Sequence, residues 1–452
     1  MRETRNLKQK YIQFLTILLP ILVTQVTMSL MTFFDTTMSG HASPADLAGT
    51  AIGSSIWIPV PTGLTGILMG ITPIVSQLVG GGQQSKVGYH VMQALWLAVA
   101  VGLAVLIAGG LLVSPILNGM QLEPKVHHVA FYFLVALSTG ILPLFGYIVI
   151  RSFIDSLGQT RVSMLITLVS LPLNVGAGYV LIFGKFGFPR LGGIGSGIAT
   201  AFTYWCIFLL ALGIVHKMQP FAGYGVFRKF HAVSLAKWKE LMKIGVPIGF
   251  AIFFETAVFA AVTLLMSRFD TLTIAAHQAA NNFASTLYMI PLSICLALTI
   301  LVSFETGAKR PKDAKQYGAL GIFTAVGLSL LTAVILMVFR EGVAGLYSSE
   351  PEVIALISHF LVYAIFFQIS DAIATPVQGV LRGYKDVNPG FWITLLAFWV
   401  IGLPLGYGLA NFTNLGPYGY WIGLISGLGV AAILLLRRLF VIQKRMELQL
   451  GA

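Results

Sequence analysis

Apolar residues in this chain come in long runs rather than in the two-residue alternation of a half-buried strand or the narrow stripe of a surface helix. Twelve runs of membrane-spanning length fall near residues 11–35, 47–72, 89–116, 127–150, 160–184, 193–216, 241–267, 272–303, 316–339, 352–378, 390–411 and 418–436. About 20 residues in a helix cross a hydrocarbon layer of ~30 Å. The pattern therefore predicts an all-α integral membrane protein with twelve transmembrane helices. With an even number of spans, both termini and the loops after even-numbered spans share one face. That face carries 23 of the 28 lysines and arginines, four of them (Arg2, Arg5, Lys8, Lys10) in the N-terminal tail. The opposite face keeps Lys125, Lys185, Arg190, Arg268 and Arg340. The positive-inside rule then puts both termini in the cytoplasm. The basic start leads into an apolar run without a small-residue cleavage site and reads as a retained first span.

The pattern also repeats. A shift of 227 residues lays Pro20 on Pro247, Ser76 on Ser303 and Gly80 on Gly307; a shift of 231 lays Arg151 and Asp155 on Arg382 and Asp386. Each half holds six spans and inserts with the same orientation, which predicts two pseudo-symmetric six-helix bundles related by an axis along the membrane normal. The expected limits are 1–216 for the first bundle, 217–240 for a basic cytoplasmic connector and 241–452 for the second. Two such bundles around a shared cleft suit an alternating-access transporter. Prolines recur inside the spans, among them Pro20, Pro59, Pro143, Pro172, Pro247, Pro291, Pro376 and Pro404. Such breaks are tolerated where neighbouring helices or cavity water satisfy the freed backbone groups.

Composition agrees: of 452 residues 57% are hydrophobic and 10% charged, which excludes a soluble domain. The net charge of +12 would suggest nucleic acid in a soluble protein, but here it follows membrane topology. Cys206 and Cys295 lie in apolar segments and read as packing residues. Against this background three of the sixteen acids stand out. Glu255 lies ~18 Å along its helix from Lys243, and Asp371 ~16 Å from Arg382, so both reach similar depth in the bilayer. Asp35 lies ~37 Å from Lys10, toward the outer end of the first span, where it could also serve as a cap. Carboxylates at such depth usually face a cavity and handle ions, protons or cationic ligands. Two buried carboxylates close together need a shared proton or a bound cation. Ser370, Thr256 and Thr375 could add oxygens to a site for Na⁺. No mid-span lysine or arginine is expected to neutralise the acids.

Around the acids stand aromatic rings and amides, of which Phe259, Tyr288, Phe367, Gln278 and Asn282 are the candidate substrate-binding residues. Rings and acids in an apolar cleft suit flat organic cations. His277 and His359 read as satisfied core residues. The run Gly192-Gly-Ile-Gly-Ser-Gly197 has no strand before it, so close helix packing explains it better than a nucleotide loop. No P-loop, HExxH or GxSxG motif occurs. An enzyme using Glu255 and Asp371 as acid and base therefore lacks a motif. A flippase for lipid-linked precursors would need a basic cavity.

With Pro20 and Asp35 in span one, Glu255 in span seven, Asp371 in span ten and the closing run Gln378-Gly-Val-Leu-Arg-Gly383, the chain resembles the multidrug and toxic compound extrusion (MATE) transporters over nearly its whole length. Both C-terminal acids favour the NorM-like over the DinF-like branch. The resemblance implies the MATE fold and a plasma-membrane antiporter, not an enzyme, that expels cationic aromatic drugs and dyes in exchange for Na⁺ or H⁺, with no other cofactor, no nucleic acid and a monomeric state. It implies cation binding at Glu255 and Asp371, with Na⁺ as their metal, and at a second site formed by Asp35 and Asn174. One departure is Gly178, one turn after Asn174, where the family often has an acid or amide; Ser196 is the hydroxyl expected nearby. The missing oxygen shifts the expected Na⁺ site to Glu255 and Asp371.

Overall fold

The computed structural model describes residues 3–229 and 231–450; Arg2 of the basic tail lies outside the described residues. These residues form helices and no strand. In chain order the helices are α1 (Leu7–Ala42), α2 (Pro44–Trp57), α3 (Pro59–Leu68), α4 (Ile71–Gly80), α5 (Val87–Gly119), α6 (Pro124–Ser138), α7 (Ile141–Ser156) and α8 (Thr160–Phe183). There follow α9 (Gly193–Lys217), α10 (Leu235–Met266), α11 (Thr271–Gly307), α12 (Pro311–Gly345), α13 (Pro351–Gly383), α14 (Val387–Leu395), α15 (Leu403–Phe412) and α16 (Tyr418–Leu450). Eleven helical stretches are long and apolar enough to cross a membrane, and the bent pair α6–α7 supplies a twelfth. The twelve expected spans are thus present, three of them in pieces.

Each break has a local cause. The second span divides into α2, α3 and α4 because Pro59 cannot donate to the preceding turn and Gly70 is needed where the backbone of Gly245 comes within 2.8 Å of a would-be Cβ. Between α6 and α7 the axis turns by 47° at Thr139–Gly140. The indole of Trp205 donates to the carbonyl of Thr139 at 3.1 Å, supplying a partner for a group freed by the bend. The eleventh span widens into a π-helical segment, Leu396–Gly402, and there the indole of Trp399 donates to the carbonyl of Phe254 at 3.0 Å.

The chain divides into two compact units. The first is Leu19–Gly249; the second combines residues 3–18 with residues 250–450, so α1 and α10 are each shared out between the two. In the first unit α9 packs on α8, α7 and α6, and α2 packs on α6. The glycine-rich run is at these contacts: Gly193 donates its N–H to Asp46 Oδ1 at 2.8 Å, and Gly197 lies against Phe133. Helix packing, not ligand binding, explains it. The connector is held to α5, where Gln93 donates to the carbonyl of Ala232 and accepts from the N–H of Ser234, both at 2.8 Å. In the second unit α13 is central, contacting α11, α12 and α16. Residues 3–18 belong here too: Lys10, 3% exposed, pairs with Asp313 at 2.7 Å, and Thr4 meets the hydroxyl of Tyr317 at 3.2 Å. Cys206 and Cys295 are free thiols.

Candidate functional site

Asp371 is 1% exposed on α13, at the centre of the second unit. Its Oδ1 accepts a hydrogen bond from Thr375 Oγ1 at 2.6 Å, one helical turn on. Its Oδ2 is buried without a hydrogen-bond partner. Glu255, half-buried, lies one turn before Phe259 on α10 and Asp371 one turn after Phe367 on α13, and those two rings meet at 5.4 Å; Tyr288 of α11 lies one turn after Ala284, whose carbonyl accepts from Gln368 of α13. Three elements therefore bring an acid pair and a phenol together. Of the hydroxyls considered beside them, only Thr375 touches an acid; Thr256 is exposed and donates to the carbonyls of Ile252 and Phe253 on its own helix.

Phe259 and Phe367 face one another edge-on, with ring centroids 5.4 Å apart. Gln278 and Asn282 are exposed on α11, and neither bonds to the acids; Asn282 accepts from the hydroxyl of Tyr347 at 3.1 Å. Gln368, also buried, ties α13 to α11 by donating to the carbonyl of Ala284. His277 is a core residue: Trp421 Nε1 donates to its Nδ1 at 3.1 Å, which leaves Nε2 carrying the proton and facing Thr263 at 3.4 Å. His359 stacks on Tyr418 at 4.2 Å between ring centroids.

In the first unit Asp35 is half-buried within α1, seven residues before the helix ends, so it does not cap it. Its Oδ2 accepts from Thr200 Oγ1 of α9 at 3.2 Å. The same hydroxyl accepts from Asn174 Nδ2 of α8 at 3.3 Å. Asp35 Oδ1 and Asn174 Oδ1, both buried, have no hydrogen-bond partner. Two buried oxygens without hydrogen-bond partners on adjacent helices are uncommon in folded proteins. Thr200 is the residue that sequence reasoning missed. Ser196 was expected to supply the hydroxyl, but Thr200, one turn further along the same face of α9, does so. The signal was its i,i+4 relation to Ser196. At Gly178 the space that a longer side chain would enter is taken by Met38, whose Cε lies 2.8 Å from a would-be Cβ. A thioether methyl stands where an oxygen was missing.

No lysine or arginine was expected at mid-span to neutralise the acids. None of Asp35, Glu255 and Asp371 forms an ion pair within 4.0 Å among the described residues. Arg382, assigned from the sequence to a cytoplasmic loop, instead lies 8% exposed in the last turn of α13. Two further acids placed at span ends are also buried. Glu305 is held by Arg310 at 2.6 Å, and Asp155 by Arg151 at 3.5 Å and by the hydroxyl of Ser163. Their arginines account for them as structural pairs.

The comparisons with known proteins agree with this architecture. The MatE family model matches twice, over residues 20–180 and 247–408, beginning at Pro20 and at Pro247, the pair that the internal repeat superposes. The chain is 57% identical over 445 residues, with 98% of each chain covered, to a protein of Bacillus subtilis (strain 168) named "Probable multidrug resistance protein NorM". It is 57% identical over 449 residues, with 99% of each covered, to the protein of the same name from Bacillus anthracis. Its fold matches the outward-facing structure of a multidrug resistance MATE family transporter of the MOP superfamily with a TM-score of 0.88, at 16% identity and 96% coverage of both chains. Two family matches that together span most of the chain, on an all-helical membrane fold and beside relatives at 57% identity, establish that this chain belongs to the MatE family of transporters.

Proposed function

We propose that this transporter expels multiple drugs, chiefly flat organic cations, from the cell across the plasma membrane by exchanging them for Na⁺ or H⁺. The observation that carries this reading is the unpartnered Oδ2 of Asp371, buried beside a second carboxylate. A charged oxygen there is costly unless a proton or a cation occupies it part of the time. Exchange of that occupant for an organic cation conserves charge in the site and couples the two fluxes. Glu255 and Asp371, with the hydroxyl of Thr375, form the main exchange site and the one where Na⁺ would bind. Asp35 and Asn174, joined through Thr200, form a second site whose free oxygens suit a proton or a weakly held cation. Phe259 and Phe367 offer ring faces and edges to a planar guest, and Tyr288 adds a hydroxyl. The relatives' shared name supports drugs as the substrate class. The cycle is alternating access by a monomer with both termini cytoplasmic, and involves no covalent step.

The test is ethidium efflux from proteoliposomes under imposed Na⁺ or H⁺ gradients. Asp371→Asn and Glu255→Gln are expected to lose at least about tenfold in gradient-driven efflux, the cost of about 1.4 kcal/mol in coupling. Asp35→Asn is expected to lose less. Wild-type rates in all three variants would remove the carboxylates from the mechanism.

A further inference from the structure

Pro291 lies in the interior of α11, a helix of 37 residues. Proline has no N–H, so the carbonyl of Leu287, one turn earlier, loses the donor that the helical ladder would give it. Inside a membrane a carbonyl freed in this way needs another partner. Beside it is a cavity in which the centre of a water molecule has about 10 Å³ of room, with Leu287 and Pro291 of α11, Ala325 and Ser329 of α12, and Gln368 and Ala372 of α13 on its wall.

The polar groups on that wall are not all spoken for. Ser329 is 8% exposed, and its hydroxyl is buried without a hydrogen-bond partner. Thr332, also on the wall, has committed its proton, since its hydroxyl donates to the carbonyl of Ser329 at 3.0 Å. Buried Gln368 gives Nε2 to the carbonyl of Ala284 at 2.9 Å, and its Oε1 can only accept. Three helices thus each bring one oxygen: a hydroxyl from α12 that can donate, and acceptors from α11 and α13. A water molecule fits this set by donating to the two acceptors and accepting from the hydroxyl, which makes three bonds, the usual number for a buried water. The room suits one water, for which roughly 10–15 Å³ is the least required, whereas a cavity lined by carbon alone would stay dry. A hard cation would want more oxygens than these, with a carboxylate among them.

We propose that this cavity is a binding site for one structural water, which hydrogen-bonds the Leu287 carbonyl, Ser329 Oγ and Gln368 Oε1 and so joins α11, α12 and α13 across the proline break. Gln368 is then fastened to α11 twice, directly at Ala284 and through the water at Leu287, three residues further on. The water thereby helps to hold the stretch of α13 that carries Asp371, which Gln368 and Ala372 flank in the chain.

The test is a structure of the wild-type protein, by crystallography or electron cryomicroscopy, at a resolution that shows ordered water. The expected result is a single density peak about 2.7–3.2 Å from all three oxygens, unchanged when N-methylglucamine replaces Na⁺ throughout. No peak there, or one that vanishes without Na⁺, overturns the proposal. Ser329→Val removes the hydroxyl and fills the room of the water; it is expected to abolish the peak and to lower the Tm in detergent by roughly 2–4 °C. Pro291→Ala returns an N–H to the Leu287 carbonyl, so that less is lost with the water, and in that background Ser329→Val is expected to lower the Tm by a smaller amount. Equal losses in the two backgrounds overturn the proposal, because residues without a common partner act additively. Should a variant fail to fold, the wild-type map decides by itself.

Discussion

At Asp35 and Asp371 one carboxylate oxygen is committed to a threonine hydroxyl and the other is left open. The committed oxygen fixes the rotamer, and the open one is available to a mobile partner. Thr200 matters more than its neighbours because its single hydroxyl links Asp35 to Asn174. Thr200→Ala is expected to shift the Na⁺ concentration or pH at half-maximal efflux by roughly tenfold, the worth of one hydrogen bond to a charged group, while Thr200→Ser keeps it near wild type. Outside the spans, Asp270 caps α11: its two oxygens accept from the N–H of Thr273 at 3.1 Å and from its hydroxyl at 2.6 Å. These bonds hold the Asp270 carboxyl below the ordinary value of 3.8. A carboxyl lowered on folding stabilises the fold above its unfolded value, and that contribution is lost as pH falls through the folded value. Asp270→Ala should therefore lower the Tm in detergent at pH 7, and the difference from wild type should shrink below about pH 4.

At the scale of the helix, α13 combines two requirements. Its polar face runs from Asp371 to Arg382, and its small residues admit α11. A Cβ at Gly379 would overlap the carbonyl of Cys295, and one at Gly383 would lie 2.7 Å from the Cβ of Val302. Close approach of α11 and α13 is what lets Gln368 donate to the carbonyl of Ala284, one turn before Tyr288. Gly379→Ala is expected to cost about 1–3 kcal/mol or more, seen as a lower Tm and earlier aggregation, because backbone cannot move aside as a flexible side chain can. The breaks in the second, fourth and eleventh spans follow the same economy of backbone groups. Where the helical ladder opens at Thr139, a tryptophan indole from a neighbouring helix fills the gap. Pro59 and Gly140 mark two of these breaks in the sequence; the tryptophan that satisfies the opened backbone is visible only in three dimensions.

At the scale of the whole molecule, each unit has its own acid site and its own ionic fastening. In the second unit residues 3–18 are fastened through Lys10 to Asp313, while Arg310 joins Glu3 at 3.1 Å and Glu305 at 2.6 Å. Lys10→Met removes the cation 2.7 Å from Asp313 and is expected to destabilise the protein by about 1–3 kcal/mol, read as a Tm loss that high salt does not abolish because the lysine is buried. The sequence by itself determined the number of spans, the internal repeat and the places of Asp35, Glu255 and Asp371 along their helices, because helical rise and bilayer thickness turn position along the chain into distance along one axis. It could not determine what stands across from each acid. Thr200 beside Asp35, Met38 over Gly178 and Arg438 on Asp386 are relations between helices, fixed by rotation and crossing. Those choices depend on which faces meet once the helices pack, and only the tertiary structure makes them.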